Sequence, residues 1–230
     1  MTKSRTIVIT GASRGIGLEM VKQFAKDSEN NILALSRNVE KMENAFSGLN
    51  HVESAFLDLN SNGIKSDCEK LFSKYQQIDI LINNAGMLVN KPFVELTHDD
   101  FESSYKVNVI SVMETVQAAL PKMTKAHIVN ISSMGGFQGS VKFPGLTAYS
   151  TSKAALCSFT ELFSEEYKES EIAMNCLCLG AAQTEMLQEA FPGYEAPVSS
   201  SEMAEFIVDF AMNAQRWIKG KIIPVSLSTP

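Results

Sequence analysis

Apolar runs and amphipathic stretches alternate along the whole chain. Thr6-Ile7-Val8-Ile9 is a continuous β-branched run, as expected of a parallel strand buried on both faces. Ile16, Met20, Val21 and Phe24 then recur at helical spacing. Ile32-Leu33-Ala34-Leu35 predicts a second strand, residues 38–46 a short helix ended by Gly48, and residues 52–57 a third strand followed by Asp58. Residues 64–75 read as an amphipathic helix and 78–82 as a fourth strand, which runs into Asn83-Asn84-Ala85-Gly86. Thr97 and Asp100 have capping-box spacing and predict a long helix to about Leu120, closed by Pro121. A fifth strand is expected over 127–131 with Ser132-Ser133 at its end, then a glycine-rich loop over 134–147 and a long helix over 148–167. Residues 172–178 predict a sixth strand. Ser199 and Glu202 open a helix with Met203, Phe206, Ile207, Phe210, Ala211 and Ala214 on one face, and 221–225 form a last short strand.

This β–α alternation predicts an α/β fold: a single doubly wound parallel sheet, Rossmann-like, flanked by helices on both faces. Without repeat, linker or low-complexity run, residues 1–230 read as one domain. Ligands of such sheets bind beyond the carboxyl ends of the strands. Gly11, Arg37, Asp58, Asn84, Ser133 and Gly180 all fall at or just past predicted strand ends, so they are expected to line one crevice.

The turn between the first strand and the first helix reads Thr10-Gly11-Ala12-Ser13-Arg14-Gly15-Ile16-Gly17. A helix N-terminus presents unpaired N–H groups and the positive end of the helix dipole, and glycines there let a phosphate approach the backbone. Strand, glycines and helix in this order predict a dinucleotide pyrophosphate site. The spacing is Gly11, Gly15, Gly17 rather than G-x-G-x-x-G.

Composition narrows the partners. The 230 residues are 45% hydrophobic and carry a net charge of −6, which argues for a packed core and against nucleic acid or an anionic membrane as partner. No apolar run is long enough to span a bilayer, and no basic stretch leads into an apolar one at the N-terminus; a cytoplasmic protein is the expectation. Cys68, Cys157, Cys176 and Cys178 lack C-x-x-C spacing, and His51, His98 and His127 are scattered. Reduced buried thiols are expected rather than a metal site, with Cys176 and Cys178 on one face of a strand.

Tyr149 and Lys153 stand four residues apart on the long helix after the fifth strand, so they share one helix face. Alone this pair is uninformative. With Ser133 ending the preceding strand, Asn108 in the helix before it, and TGASRGIG and NNAG in order, the chain resembles the short-chain dehydrogenase/reductase family over essentially its whole length. The resemblance implies carbonyl reduction, or the reverse alcohol oxidation, with a small-molecule substrate. Tyr149 would be the acid/base, Lys153 would lower its pKa and bind the nicotinamide ribose, Ser133 would polarise the carbonyl, and Asn108 would hold a water of a proton relay. Gly11, Ser13, Arg14, Gly15, Ile16 and Gly17 match the family's phosphate loop, Asp58 and Leu59 its adenine contact, and Asn84, Ala85 and Gly86 the turn beside the cofactor. Gly180, Ala182 and Thr184 match the segment after the sixth strand, where Leu179 replaces the family's proline.

Two further features bear on cofactor and assembly. The second strand ends Leu35-Ser36-Arg37, without the acid that accepts from a ribose 2′-hydroxyl in NAD-selective relatives; Arg37 and Arg14 instead suit a 2′-phosphate. NADPH or NADP is therefore expected in preference to NAD. The resemblance also implies a homodimer or homotetramer formed by the two long helices, the second bearing the small residues Ala154, Ala155, Cys157 and Ser158. Residues 186–197, with Leu187, Phe191 and Tyr194, fall where the family has a mobile lid. The loop from Ser133 to Tyr149, longer than usual, carries Phe137, Val141, Phe143 and Leu146. A ketoacyl-carrier-protein reductase is one possible assignment, a small ketone, aldehyde or pteridine substrate another. The rival from a different class is a catalytically idle dinucleotide-binding sensor or scaffold.

Overall fold

A computed structural model describes residues 4–227. Its seven strands are β1 (Arg5–Thr10), β2 (Asn30–Ser36), β3 (Val52–Phe56), β4 (Ile80–Asn83), β5 (Lys125–Ser133), β6 (Glu171–Leu179) and β7 (Ile222–Val225). They form one sheet in the order β3-β2-β1-β4-β5-β6-β7, and every pairing is parallel. The chain therefore reverses its direction of travel across the sheet between β1 and β4. At such a switch point the loops leaving adjacent strands diverge and leave a crevice.

The β-branched and leucine-rich strands bury both faces, as a parallel sheet requires. On one face, α1 (Gly15–Phe24), α2 (Val39–Ala45) and α8 (Ser200–Asn213) contribute Met20, Val21, Phe24, Met42, Ile207 and Phe210 to a core with Ile7, Ile9, Ile82 and Leu177. On the other, α3 (Ile64–Phe72), α5 (Ser111–Ala119) and α6 (Thr147–Glu166) pack Cys68, Phe72, Val116 and Phe163 against Val8, Leu33, Leu81 and Ile128. α4 (His98–Tyr105) and the short α7 (Glu185–Ala190) complete the helices. Both expected capping boxes are formed, Thr97 with Asp100 and Ser199 with Glu202.

Four expectations change. The helix predicted over 64–75 ends at Phe72, and Tyr75 turns so that its hydroxyl donates to Glu53 Oε2 at 3.1 Å. The helix expected from Thr97 to Leu120 is interrupted by a π-helical turn, Lys106–Ile110, between α4 and α5. Polar side chains bind the backbone around it, with Ser111 Oγ donating to Val107 O at 2.6 Å and Thr115 Oγ1 to Ser111 O at 2.7 Å. Such bonds compete with the regular helical ladder. Phe206, placed on the buried face of α8, is 42% exposed and only tilts against Phe210. Finally, α7 falls within residues read as a loop, where the Thr184 hydroxyl caps the turn by accepting from Leu187 N at 3.2 Å. No helix of the described residues is long and apolar enough to cross a membrane.

Candidate active site

The glycine turn is set by close backbone approach. Gly11 has φ +71°, and a Cβ there would lie 2.8 Å from Ala85 Cα. A Cβ on Gly17 would collide with the Gly11 carbonyl and the Asn84 amide. Only glycine lets the ends of β1 and β4 come this near while the first turn of α1 passes behind them. Thr10 and Asn84 lock the arrangement. Thr10 Oγ1 accepts from the backbone N–H of Asn84 at 3.1 Å and of Ala85 at 3.2 Å, while Asn84 Nδ2 donates to Thr10 O and Gly11 O at 3.0 and 3.2 Å. The α1 N-terminus has neither a side-chain cap nor an acidic residue in its first turn, so its donors stay open to an anion.

From this turn a crevice of about 990 Å³ runs across the carboxyl ends of the strands. Gly11, Arg37, Asp58, Asn84, Ser133 and Gly180 all line it, as the strand-end argument expects. So do Ser13, Arg14, Gly15, Ile16, Gly17, Leu59, Ala85, Gly86, Tyr149, Lys153, Ala182 and Thr184. Asn108 alone among the expected site residues lies behind the wall, fully buried in the π-helical turn. Its amide is spent on protein: Oδ1 accepts from Met87 N at 2.8 Å, and Nδ2 donates to Met87 O and Ser152 Oγ at 2.9 Å each. Leu179 does not break the strand as a proline would; it is the last residue of β6, in register with Ser133 and Val225.

At the end of β5 the two serines part ways, because successive side chains of a strand point to opposite faces. Ser132 is buried and donates to Lys153 O at 2.8 Å. Ser133 faces the crevice, accepts from Gly135 N at 3.2 Å and lies close enough to the Tyr149 hydroxyl to favour its ionised form. Lys153 is 3% exposed and donates from Nζ to Ile131 O at 2.8 Å, with Nζ 5.9 Å from the centroid of the Tyr149 ring.

Burial dominates the electrostatics of this group. It pushes the Lys153 ammonium down to about 8. Tyr149 keeps one edge on the crevice, but its dense surroundings raise its pKa above the ordinary phenol value, with the nearby Ser133 hydroxyl pulling the other way. The sequence alone implies that Lys153 lowers the tyrosine. Here the ammonium is tied to the Ile131 carbonyl, and desolvation of the phenolate prevails.

Other contacts were not foreseen. Cys176 and Cys178 do share a face of β6, and α6 brings Cys157 against them, so that the three Sγ atoms lie within 4.8 Å of one another. With Met134 they form a small buried cluster one helical turn beyond Lys153. Cys157 thus faces inward, whereas Ala154 and Ser158 face out. Beside the glycine turn, Ser13, Arg14, Ser36, Arg37, Asn38, Val39, Glu40 and Lys41 line a polar recess of about 650 Å³. Lys41 carries no motif; only its place one turn into α2, after the Arg37 strand end, could have signalled it. Across the recess, Arg14 makes two hydrogen bonds to Glu189 of α7, at 2.5 and 3.2 Å.

Comparison with known proteins agrees with this geometry. The family model for short chain dehydrogenases matches residues 5–195. The 3-oxoacyl-(acyl-carrier-protein) reductase FabG of Chlamydia pneumoniae is 30% identical over 187 residues, covering 79% of this chain and 75% of the relative. Oxidoreductase UcpA of Salmonella typhimurium is 33% identical over 192 residues, covering 80% and 72%. Among solved structures, a short chain dehydrogenase of Escherichia coli CFT073 complexed with NADPH superposes with a TM-score of 0.85 at 27% identity, covering 96% of each chain. With its all-parallel sheet, its glycine turn and this match over most of its length, the chain belongs to the short-chain dehydrogenase/reductase family of oxidoreductases.

Proposed function

We propose that the chain, acting as one catalytic domain, is an NADP(H)-dependent oxidoreductase that interconverts a carbonyl and a secondary alcohol. The observation that carries this reading is the convergence of Ser133, Tyr149 and Lys153 on the crevice that begins at the glycine turn. The residues present fit the dinucleotide. The uncapped α1 N-terminus suits its pyrophosphate, Asp58 and Leu59 suit the adenine, and Arg14 and Arg37 suit a 2′-phosphate. Asn84, Ala85 and Gly86, with Gly180, Ala182 and Thr184, wall the nicotinamide end, where Lys153 would hold the ribose. The complex of the E. coli CFT073 relative with NADPH supports the same choice. When bound, the cofactor supplies the hydride.

The remaining chemistry belongs to the chain. Tyr149 gives its phenolic proton to the carbonyl oxygen, and its raised pKa keeps that proton in place at neutral pH. Ser133 presents its hydroxyl to the same oxygen and stabilises the charge that develops there. Lys153, lowered to about 8, can release and regain a proton near neutrality and so restore Tyr149. Asn108 fixes Met87 beside this pair.

Met87, Leu88, Met134, Phe143, Leu146, Leu187, Phe191 and Tyr194 give the crevice apolar walls, which suit a ketone or aldehyde with apolar substituents. The 3-oxoacyl reductases of Chlamydia keep a ketoacyl thioester in view. A net charge of −6 offers an acidic carrier protein no complement, however, and a small carbonyl compound is the preferred substrate. The test is a panel of ketones, aldehydes and 3-oxoacyl thioesters with NADPH or NADH, followed at the nicotinamide absorbance. NADPH consumption with a carbonyl supports the reading. Tight NADPH binding with no turnover across the panel would favour an idle sensor.

A further inference from the structure

Two cations of the polar recess beside the glycine turn are already paired with carboxylates from within the chain. Arg14 leaves the glycine turn and meets Glu189 side-on, Nη1 to Oε1 at 2.5 Å and Nη2 to Oε2 at 3.2 Å. Lys41, from α2, has its Nζ 3.8 Å from Glu185 Oε1. Glu185 and Glu189 stand four residues apart on α7, so one face of this short helix presents two carboxylates to two cations of the recess. The pairing shows on both partners: Glu189 is held below the usual carboxylate range and Arg14 above its own, each chiefly through their mutual hydrogen bond.

α7 is also seated close to the turn. A Cβ on Gly15 would lie 3.3 Å from Thr184 Cγ2 and 3.5 Å from Glu185 Oε2. On its other side, Asn90 Nδ2 donates to Ala190 O at 2.9 Å, which fixes the far end of the helix to the segment after β4. Arg37, the third cation of the recess, has no carboxylate partner among the described residues.

We propose that Glu185 and Glu189 are specificity-determining residues that act as an internal stand-in for the cofactor's 2′-phosphate. The proposal rests on the NADP(H) reading above. A carboxylate and a phosphate oxygen present the same charge-assisted acceptors to a guanidinium fork, so both cannot occupy Arg14 at once. An incoming 2′-phosphate takes Arg14 and Lys41 and releases α7, whereas NADH, which shares the pyrophosphate but lacks the 2′-phosphate, competes less for these cations. The two glutamates therefore weaken NADP(H) more than NAD(H), and they couple the phosphate to the position of the segment that covers the substrate end of the crevice. The pairs are exposed, with side chains between 41% and 61% accessible, so each contributes modestly.

The test compares dissociation constants for NADPH and NADH in wild type, Glu185→Gln, Glu189→Gln and the double variant, with Arg37→Ala as reference. Neither glutamate belongs to the catalytic group, and glutamine keeps their size. The double variant is expected to bind NADPH about three- to tenfold more tightly, from two pairs each worth a few-fold, and NADH within about twofold of wild type. The probe 2′,5′-ADP should follow NADPH, and 5′-ADP should follow NADH. Equal changes for both cofactors, or an NADPH constant that is unchanged or weaker, would overturn the proposal while Arg37→Ala still selectively weakens NADPH. If Arg37→Ala instead affects both cofactors equally, the placement of the 2′-phosphate itself fails, and this proposal with it.

Discussion

Arg37 directly follows β2 at the mouth of the polar recess, where Glu40 is the only carboxylate of the lining and no acid stands at the strand end. Loss of one charge-assisted hydrogen bond costs about 1.5–3 kcal/mol, so Arg37→Ala should weaken NADPH by about tenfold or more and leave NADH nearly unchanged. Titration of both cofactors checks this; equal losses would contradict it. Residues of this kind were legible because their signal is local. The strand-end position singled out Arg37, and alternation along β5 separates Ser133, on the crevice, from Ser132, bound to Lys153 O. What stayed hidden depends on contacts distant in sequence. Glu189 meets Arg14 across 175 positions, and the pKa of Tyr149 is set by burial rather than by the lysine one turn away. Neither partner lies within the window that spacing can read.

Elements carried by periodicity appear where the pattern puts them, because a strand buried on both faces or an amphipathic helix leaves few alternatives. The π-helical turn at Lys106–Ile110 and the six-residue α7 escaped, since each depends on a tertiary contact. For the turn that contact is Asn108, clamped to Met87 and Ser152. β5 supplies a prediction of its own. His127 is buried; its Nδ1 donates to Ala211 O at 2.9 Å and its Nε2 accepts from Asn175 Nδ2 at 2.9 Å. Asn175 cannot turn its oxygen to a protonated ring without losing its bonds to Lys221 N and Ile218 O. Burial accordingly lowers His127 to about 4, against about 6.5 in an unfolded chain. On acidification the unfolded chain takes up the proton first, so the stability this residue contributes is present above pH 6.5 and is lost as pH falls toward 4. The loss is about 3 kcal/mol at most. Urea midpoints between pH 7 and 4 should fall, and the His127→Gln variant should show a shallower slope over that window. An unchanged slope would contradict this account of β5.

The molecule as a whole places its chemistry along the carboxyl ends of the strands and leaves apolar side chains exposed on the long helices. On α6, Ala154 and Ser158 face out beside Leu162, which is 68% exposed, and Ile110, which ends the π-helical turn before α5, is 49% exposed. Helix pairing between subunits would cover them, so light scattering at micromolar concentration should give a dimer or tetramer, and Leu162→Arg should shift it toward monomer. A wild-type monomer would contradict the expectation. The doubly wound parallel sheet followed from sequence because strict β–α alternation admits few topologies; of the small residues assigned to the contact face, Cys157 instead packs inward on Cys176 and Cys178, a contact that no spacing along α6 reveals. Tyr149 is proposed as the proton donor to a carbonyl at the end of the cofactor crevice. The most direct measurement pairs NADPH affinity with turnover in wild type and Tyr149→Phe, on a carbonyl that the wild type reduces. Removing one hydroxyl should leave the NADPH dissociation constant within about twofold and lower turnover by at least about a hundredfold. Turnover of the variant at the wild-type rate would contradict the assignment of Tyr149 as the proton donor.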